Sequence, residues 1–137
     1  MEKLASVLLV DDDSTNNFLN ELLIKRLGVT DHLQVAESGA EALNLLKETK
    51  PTDGPALILL DVSMPGMNGI EFLENYVQLP AAQRHATVVI MLTTTMDASD
   101  LSRLNDLPIA GLVSKPLTQE KLATILQLHF RRTLPEQ

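Results

Sequence analysis

Four aspartates, a threonine and a lysine follow apolar runs in this chain, and that placement limits the chemistry available to them. Leu4 to Val10 runs into Asp11-Asp12-Asp13, and Leu57-Ile58-Leu59-Leu60 runs into Asp61. Thr87 to Leu92 closes on Thr93-Thr94-Thr95, and Ile109 to Val113 closes on Ser114-Lys115-Pro116. If each run is a strand of one parallel sheet, the residues after it share the carboxyl rim, where ligands bind in open α/β sheets. Asp11, Asp12 and Asp61 gathered on that rim would repel one another, so they need a cation or raised pKa values. Oxygen donors without His or Cys suit a hard ion. Mg²⁺ fits best, because it takes one or two carboxylates and keeps several waters. A carboxylate beside such an ion can attack a phosphoryl group and form an aspartyl phosphate. The ammonium of Lys115 and the hydroxyl of Thr93 then supply a charge and a donor for the phosphoryl oxygens. His32, His85 and His129 lie far apart with no ligand spacing and read as solvated or packing residues.

The elements that must position these groups follow from the patterning. Unbroken aliphatic runs bounded by turn signals suit strands buried on both faces. After the first, Ser14 and Thr15 stand where a helix cap belongs. Phe18, Leu19, Leu22, Leu23 and Leu27 then repeat at helical spacing as the expected inner face, until Gly28 stops the helix. A short strand over Leu33 to Ala36 leads to Ser38-Gly39-Ala40-Glu41, which has capping-box spacing, and to a helix carrying Ala42, Leu43 and Leu46. Pro51 to Pro55 is a loop before the Asp61 strand. Pro65, Gly66 and Asn68-Gly69 then form a turn. Ile70, Phe72, Leu73, Tyr76 and Val77 mark a third helix. A short, polar fourth is capped by Asp97, carries Leu101 and Leu104, and cannot pass Pro108. Thr118 caps the last helix through Leu122, Ile125, Leu126 and Phe130, and the tail from Thr133 to Gln137 is expected to fray. Five strands alternating with five helices predict an α/β fold, a parallel sheet with helices on both faces.

At 137 residues the chain reads as one domain, residues 1–137, with a core that must be aliphatic because only 3% of residues are aromatic. A net charge of −7 leaves no basic stripe for nucleic acid. The absence of cysteine agrees with a reducing, cytoplasmic setting. The charged amino terminus is unlike a secretory signal, and no apolar stretch reaches membrane-spanning length.

Taken together, Val-Asp-Asp after the first strand, Asp-x-x-Met-Pro-Gly-Met-Asn-Gly after the third, Leu-Thr-Thr after the fourth and Lys-Pro after the fifth resemble one family. It is the response-regulator receiver domain of two-component phosphorelay signalling, and the likeness runs from about Leu4 to His129. The resemblance implies a doubly wound, flavodoxin-like sheet of order 2-1-3-4-5. Position by position it implies Asp61 as phosphoacceptor, Asp12 as direct Mg²⁺ carboxylate with Asp11 beside it, and the backbone carbonyl of Val62 as a further ligand. Thr93 would bond the phosphoryl group and Lys115 would pair with it. The implied partners are a sensor histidine kinase or histidine phosphotransfer protein and a downstream protein target. The protein would catalyse only its own phosphorylation and dephosphorylation. Ser63 and Thr95 flank the site where they would position an attacking water. The chain departs from the family at Asn68, usually Asp, and at Leu112, where many receivers carry an aromatic that reports phosphorylation. Nothing after the last helix resembles an output domain, so a stand-alone receiver is expected, signalling by protein contact or by onward relay.

Two other readings compete. Asp11-Asp12-Asp13-Ser14-Thr15 also satisfies the Asp-x-Asp-x-Thr pattern of haloacid-dehalogenase-type phosphatases, with Asp11 as nucleophile and Asp13 as acid/base. That reading leaves the Met-Pro-Gly-Met-Asn-Gly turn unexplained and lacks a late acidic pair. A receiver-like interaction module that is never phosphorylated would not need the complete acid, threonine and lysine set.

Overall fold

In the computed structural model, residues 3–48, 55–64, 66–80, 88–94, 102–104 and 107–131 are described. Runs of Val, Leu and Ile cannot face water on either side, and here they pair with one another. Strands β1 (Val7–Val10), β2 (Leu33–Ala36), β3 (Leu57–Asp61), β4 (Val88–Thr93) and β5 (Gly111–Ser114) form one sheet of order β2-β1-β3-β4-β5. Every pairing is parallel, as the alternation with helices requires. Leu8, Val10, Ile58, Leu60, Val89 and Met91 project to one side, against α2 (Gly39–Glu48) and α3 (Gly69–Tyr76). Val7, Leu9, Leu57, Leu59, Ile90 and Leu92 project to the other, against α1 (Ser14–Arg26) and the carboxyl-terminal helix α4 (Gln119–Phe130). Two aliphatic cores therefore sandwich the sheet. The expected fourth helix falls largely outside the described residues. Only residues 102–104 are seen, as a helical turn with Leu104 buried. Asp97, Leu101, Thr95, His85 and the tail also lie outside them.

Several boundaries differ from the sequence expectation. Leu4 is buried but makes only an isolated bridge to Thr30, so β1 starts at Val7. The fifth strand begins at Gly111 and ends at Ser114 rather than Val113. Asp13, not Ser14 or Thr15, caps α1, its carboxylate accepting the Thr15 and Asn16 N–H groups at 2.9 and 3.2 Å. Gly28, at φ +66°, closes α1 with the Gly28 N–H on the Lys25 carbonyl and the Val29 N–H on the Ile24 carbonyl.

The largest correction concerns which face of α1 is buried. Asn17, Ile24 and Leu27 face the sheet, whereas Phe18, Leu19 and Leu22 are 59, 55 and 49% exposed. Helical spacing alone made the leucine-rich stripe the inner face. The side-chain amide of Asn17 donates to the Asp11 carbonyl at 2.8 Å from the same face as Ile24 and Leu27; of the expected stripe only Leu27 is buried, with Leu23 packed partly against the core.

Candidate functional site

Asp61 is the last residue of β3 and pairs in register with Leu92, one residue before Thr93. Asp11 follows β1 directly, and Lys115 follows β5, its N–H bonded to the Thr93 carbonyl at 2.9 Å. The register therefore delivers Asp11, Asp12, Asp61, Thr93 and Lys115 to one rim of the sheet, as the residue pattern predicts.

Side chains meet there. Oxygens of Asp11, Asp12 and Asp61 lie within 4.8 Å of one another, with Asp11 and Asp61 buried and Asp12 exposed. Lys115 Nζ is 2.8 Å from Asp61 Oδ1 and 3.4 Å from Asp11 Oδ2. Three carboxylates against one ammonium leave a formal charge of −2 at this cluster, which fits a divalent cation. The donors, all carboxylate oxygens, suit a hard one. The Asp61 carboxyl is held above its ordinary value of 3.8 by desolvation, with the Asp11 charge adding to it, and the Lys115 contact only partly offsets them. Burial alone would lower the Lys115 ammonium, yet the ion pairs with Asp61 and Asp11 outweigh it and raise the group above 10.5. The same contact raises the lysine in spite of its burial, while on Asp61 burial and the second carboxylate together outweigh it.

Each group is held from behind. Asp11 Oδ1 accepts the Asp13 N–H at 2.9 Å, and Asn16 Nδ2 lies 3.5 Å from Asp11 Oδ2. The Ser63 N–H reaches Asp61 Oδ1 at 3.4 Å. The Val62 carbonyl, expected as an ion ligand, accepts the Gly69 N–H at 2.9 Å and is thereby engaged by the start of α3. Residue 69 must be glycine: a Cβ there would lie 2.6 Å from the Asp61 carbonyl oxygen and 3.0 Å from Val62 Cα. On the other flank, Lys121 Nζ donates to the Ser114 and Pro116 carbonyls at 2.7 and 3.0 Å and to Ser114 Oγ at 3.1 Å, bracing the turn that carries Lys115.

Sequence reasoning missed three of these supports. The sequence pattern singles out neither Asn17 nor Lys121, and it marks Gly69 only as a turn former. Asn68, too, has the sequence signature of a turn residue. It forms a full capping box with Glu71, at 2.8 and 3.2 Å, which Asn-x-x-Glu spacing does announce. The anticipated box at Ser38 is half formed: Ser38 Oγ takes the Glu41 N–H, but the Glu41 carboxylate reaches back to Glu37.

A family profile for the response regulator receiver domain matches residues 7–127. The chain is a response-regulator receiver domain. Among its relatives, the receiver is 35% identical over 129 residues to the transcriptional regulatory protein CpxR of Escherichia coli, covering 93% of this chain and 50% of that protein. It is 34% identical over 121 residues to the signal transduction histidine-protein kinase BarA of the same organism, covering 88% of this chain and 12% of that one. A two-component response regulator from Cytophaga hutchinsonii superposes with a TM-score of 0.80 at 30% identity, over 96% of this chain and all of the other. The receiver spans half of CpxR and a much smaller part of BarA. The sheet order of the sequence expectation is the one observed, and membership of the family places the chain in phosphorelay signalling. Nothing supports the phosphatase alternative: Asp13, its required acid/base, is occupied as the cap of α1. Among the described residues, no helix is long and apolar enough to cross a membrane.

Proposed function

We propose that Asp61 is the phosphoacceptor of a Mg²⁺-dependent relay, fed by a phosphohistidine on a sensor kinase or histidine phosphotransfer protein. The observation that carries this reading is the contact of Lys115 with the buried Asp61, inside a three-carboxylate cluster. Oδ1 of Asp61 carries the Lys115 and Ser63 contacts, so Oδ2 is assigned as the attacking atom. Its bond to phosphorus forms as the phosphorus–nitrogen bond breaks, and that electron pair returns to the imidazole. Asp11, Asp12 and Asp61 would hold Mg²⁺, which when bound neutralises charge on the transferring group. The turn after Asp61 would add a carbonyl. With Val62 engaged by Gly69, Ser63 is the better donor of it. Lys115 and the Thr93 hydroxyl then meet the phosphoryl oxygens. Water later attacks the acyl phosphate, so the protein catalyses only its own phosphorylation and dephosphorylation.

The outward face of α1 supplies the docking surface for the donor. Phe18, Leu19 and Leu22 stand in water beside a groove of about 560 Å³ that runs from Asp11 and Lys115, past Pro116 and Leu117, to Arg26. An apolar face continuous with the phosphorylation site suits a helix that presents its histidine to Asp61. We place the protein in the cytoplasm, with a downstream protein target and no direct role for nucleic acid.

Incubation with a small phosphodonor and Mg²⁺, followed by reductive trapping and mass spectrometry, should add one phosphoryl group on Asp61. Asp61→Asn should abolish labelling while the fold survives. A label on Asp11 would overturn the assignment.

A further inference from the structure

We propose that Asn17 is a positioning residue for the acidic site: from within α1 it holds the Asp11 backbone in the place that lets three carboxylates converge. The inference rests on the metal-site reading above. Asn17 is the one polar side chain on the buried face of α1, only 4% exposed, in company with Ile24 and Leu27. Its Nδ2 donates to the Asp11 carbonyl at 2.8 Å, one residue beyond the paired register of β1 with β3. The amide cannot be reversed, because an Oδ1 in that place would face another acceptor.

Its Oδ1 is buried and has no partner among the described residues. An apolar residue of the same shape would spare the unpaired acceptor but take the donor away from the buried Asp11 carbonyl, so the asparagine is kept for its hold on Asp11. What the asparagine adds is geometry. Besides its N–H on the Ala36 carbonyl and its contacts with Asn16 and Lys115, Asp11 is gripped at its carbonyl by Asn17 and at its carboxylate by the Asp13 N–H. Both holds lie in the turn that also presents Asp12. Bringing like charges within 4.8 Å of one another works against repulsion, so the backbone beneath them must be held. Groups that orient the ligands of a metal commonly change its affinity 10- to 100-fold when removed.

The test is a Mg²⁺ titration of the wild type, Asn17→Leu and Asn17→Ala, followed by backbone amide shifts, with thermal unfolding measured alongside. Wild type should show saturable shifts at Asp11, Asp12 and Asp61. Both variants should bind on the order of tenfold more weakly while Ile24 and Leu27 keep their signals. The alanine variant serves if leucine repacks the helix. Unchanged Mg²⁺ affinity in a variant with lowered melting temperature would make Asn17 a purely structural residue and overturn the proposal. A wild type without shifts at the three aspartates would instead overturn the metal-site reading beneath it.

Discussion

At the scale of single residues, the site is a negotiation between burial and charge. Asp61 and Asp11 are almost fully buried, and one ammonium serves both. Without metal this has a cost that depends on pH. A carboxyl raised above 3.8 in the folded state binds protons more tightly there than in the unfolded chain. Stability from this group is therefore complete below about pH 4 and is lost as pH rises through the elevated folded value. Lys115, raised above 10.5, stays charged across that window and contributes no slope until alkaline pH. In metal-free buffer, urea unfolding of the wild type should thus lose stability more steeply than that of Asp61→Asn as pH rises above about 4. Saturating Mg²⁺ should remove much of the difference, because binding to the folded state alone is stabilising. Equal slopes for the two proteins would show that Asp61 ionises as an ordinary surface carboxyl.

At the scale of elements, the site depends on how closely α3 approaches β3. The capping box of Asn68 and Glu71 starts the helix, and the Gly69 N–H ties it to the Val62 carbonyl, next to Asp61. Gly69→Ala should destabilise the fold by roughly 1–3 kcal/mol, since the new methyl meets backbone that cannot step aside. It should also weaken Mg²⁺ binding by displacing Asp61. Chemical denaturation and a metal titration would measure both, and a variant as stable as wild type would disprove the tight approach. By contrast Gly66, at φ +78°, has open space around its missing Cβ, so its need is conformational rather than steric.

At the scale of the whole molecule, two surfaces can carry the signal. The α1 face borders the acidic cluster, whereas Leu112 stands on the edge strand β5, 43% exposed, with no ring to bury or release. Leu22→Glu should slow phosphotransfer from a phosphorylated histidine kinase or phosphotransfer protein at least tenfold, as loss of a central apolar contact does in other interfaces. Labelling by a small phosphodonor should stay within about twofold of wild type, because Leu22 lies outside the acidic cluster. Equal loss with both donors would mean the substitution damages the site rather than the docking surface.

Much of this protein was legible in its residues. Aliphatic runs that tolerate water on neither side specify central strands, and acids, threonine and lysine placed after them specify which rim does chemistry. Those are local facts, and the parallel register only had to bring them together. The direction in which α1 faces was decided elsewhere. Phe18, Leu19 and Leu22 repeat as a core stripe should, yet Ile24, Leu27 and Asn17, whose amide donates to the Asp11 carbonyl just before the helix, take the inner face and leave them in solvent. The close passage of Gly69 under Asp61 and the hold of Lys121 on the Lys115 turn are likewise contacts between separate elements. Periodicity reports how hydrophobic a face is. Only the packed structure decides which face meets the sheet and which polar groups find partners there, because both depend on contacts between separate elements.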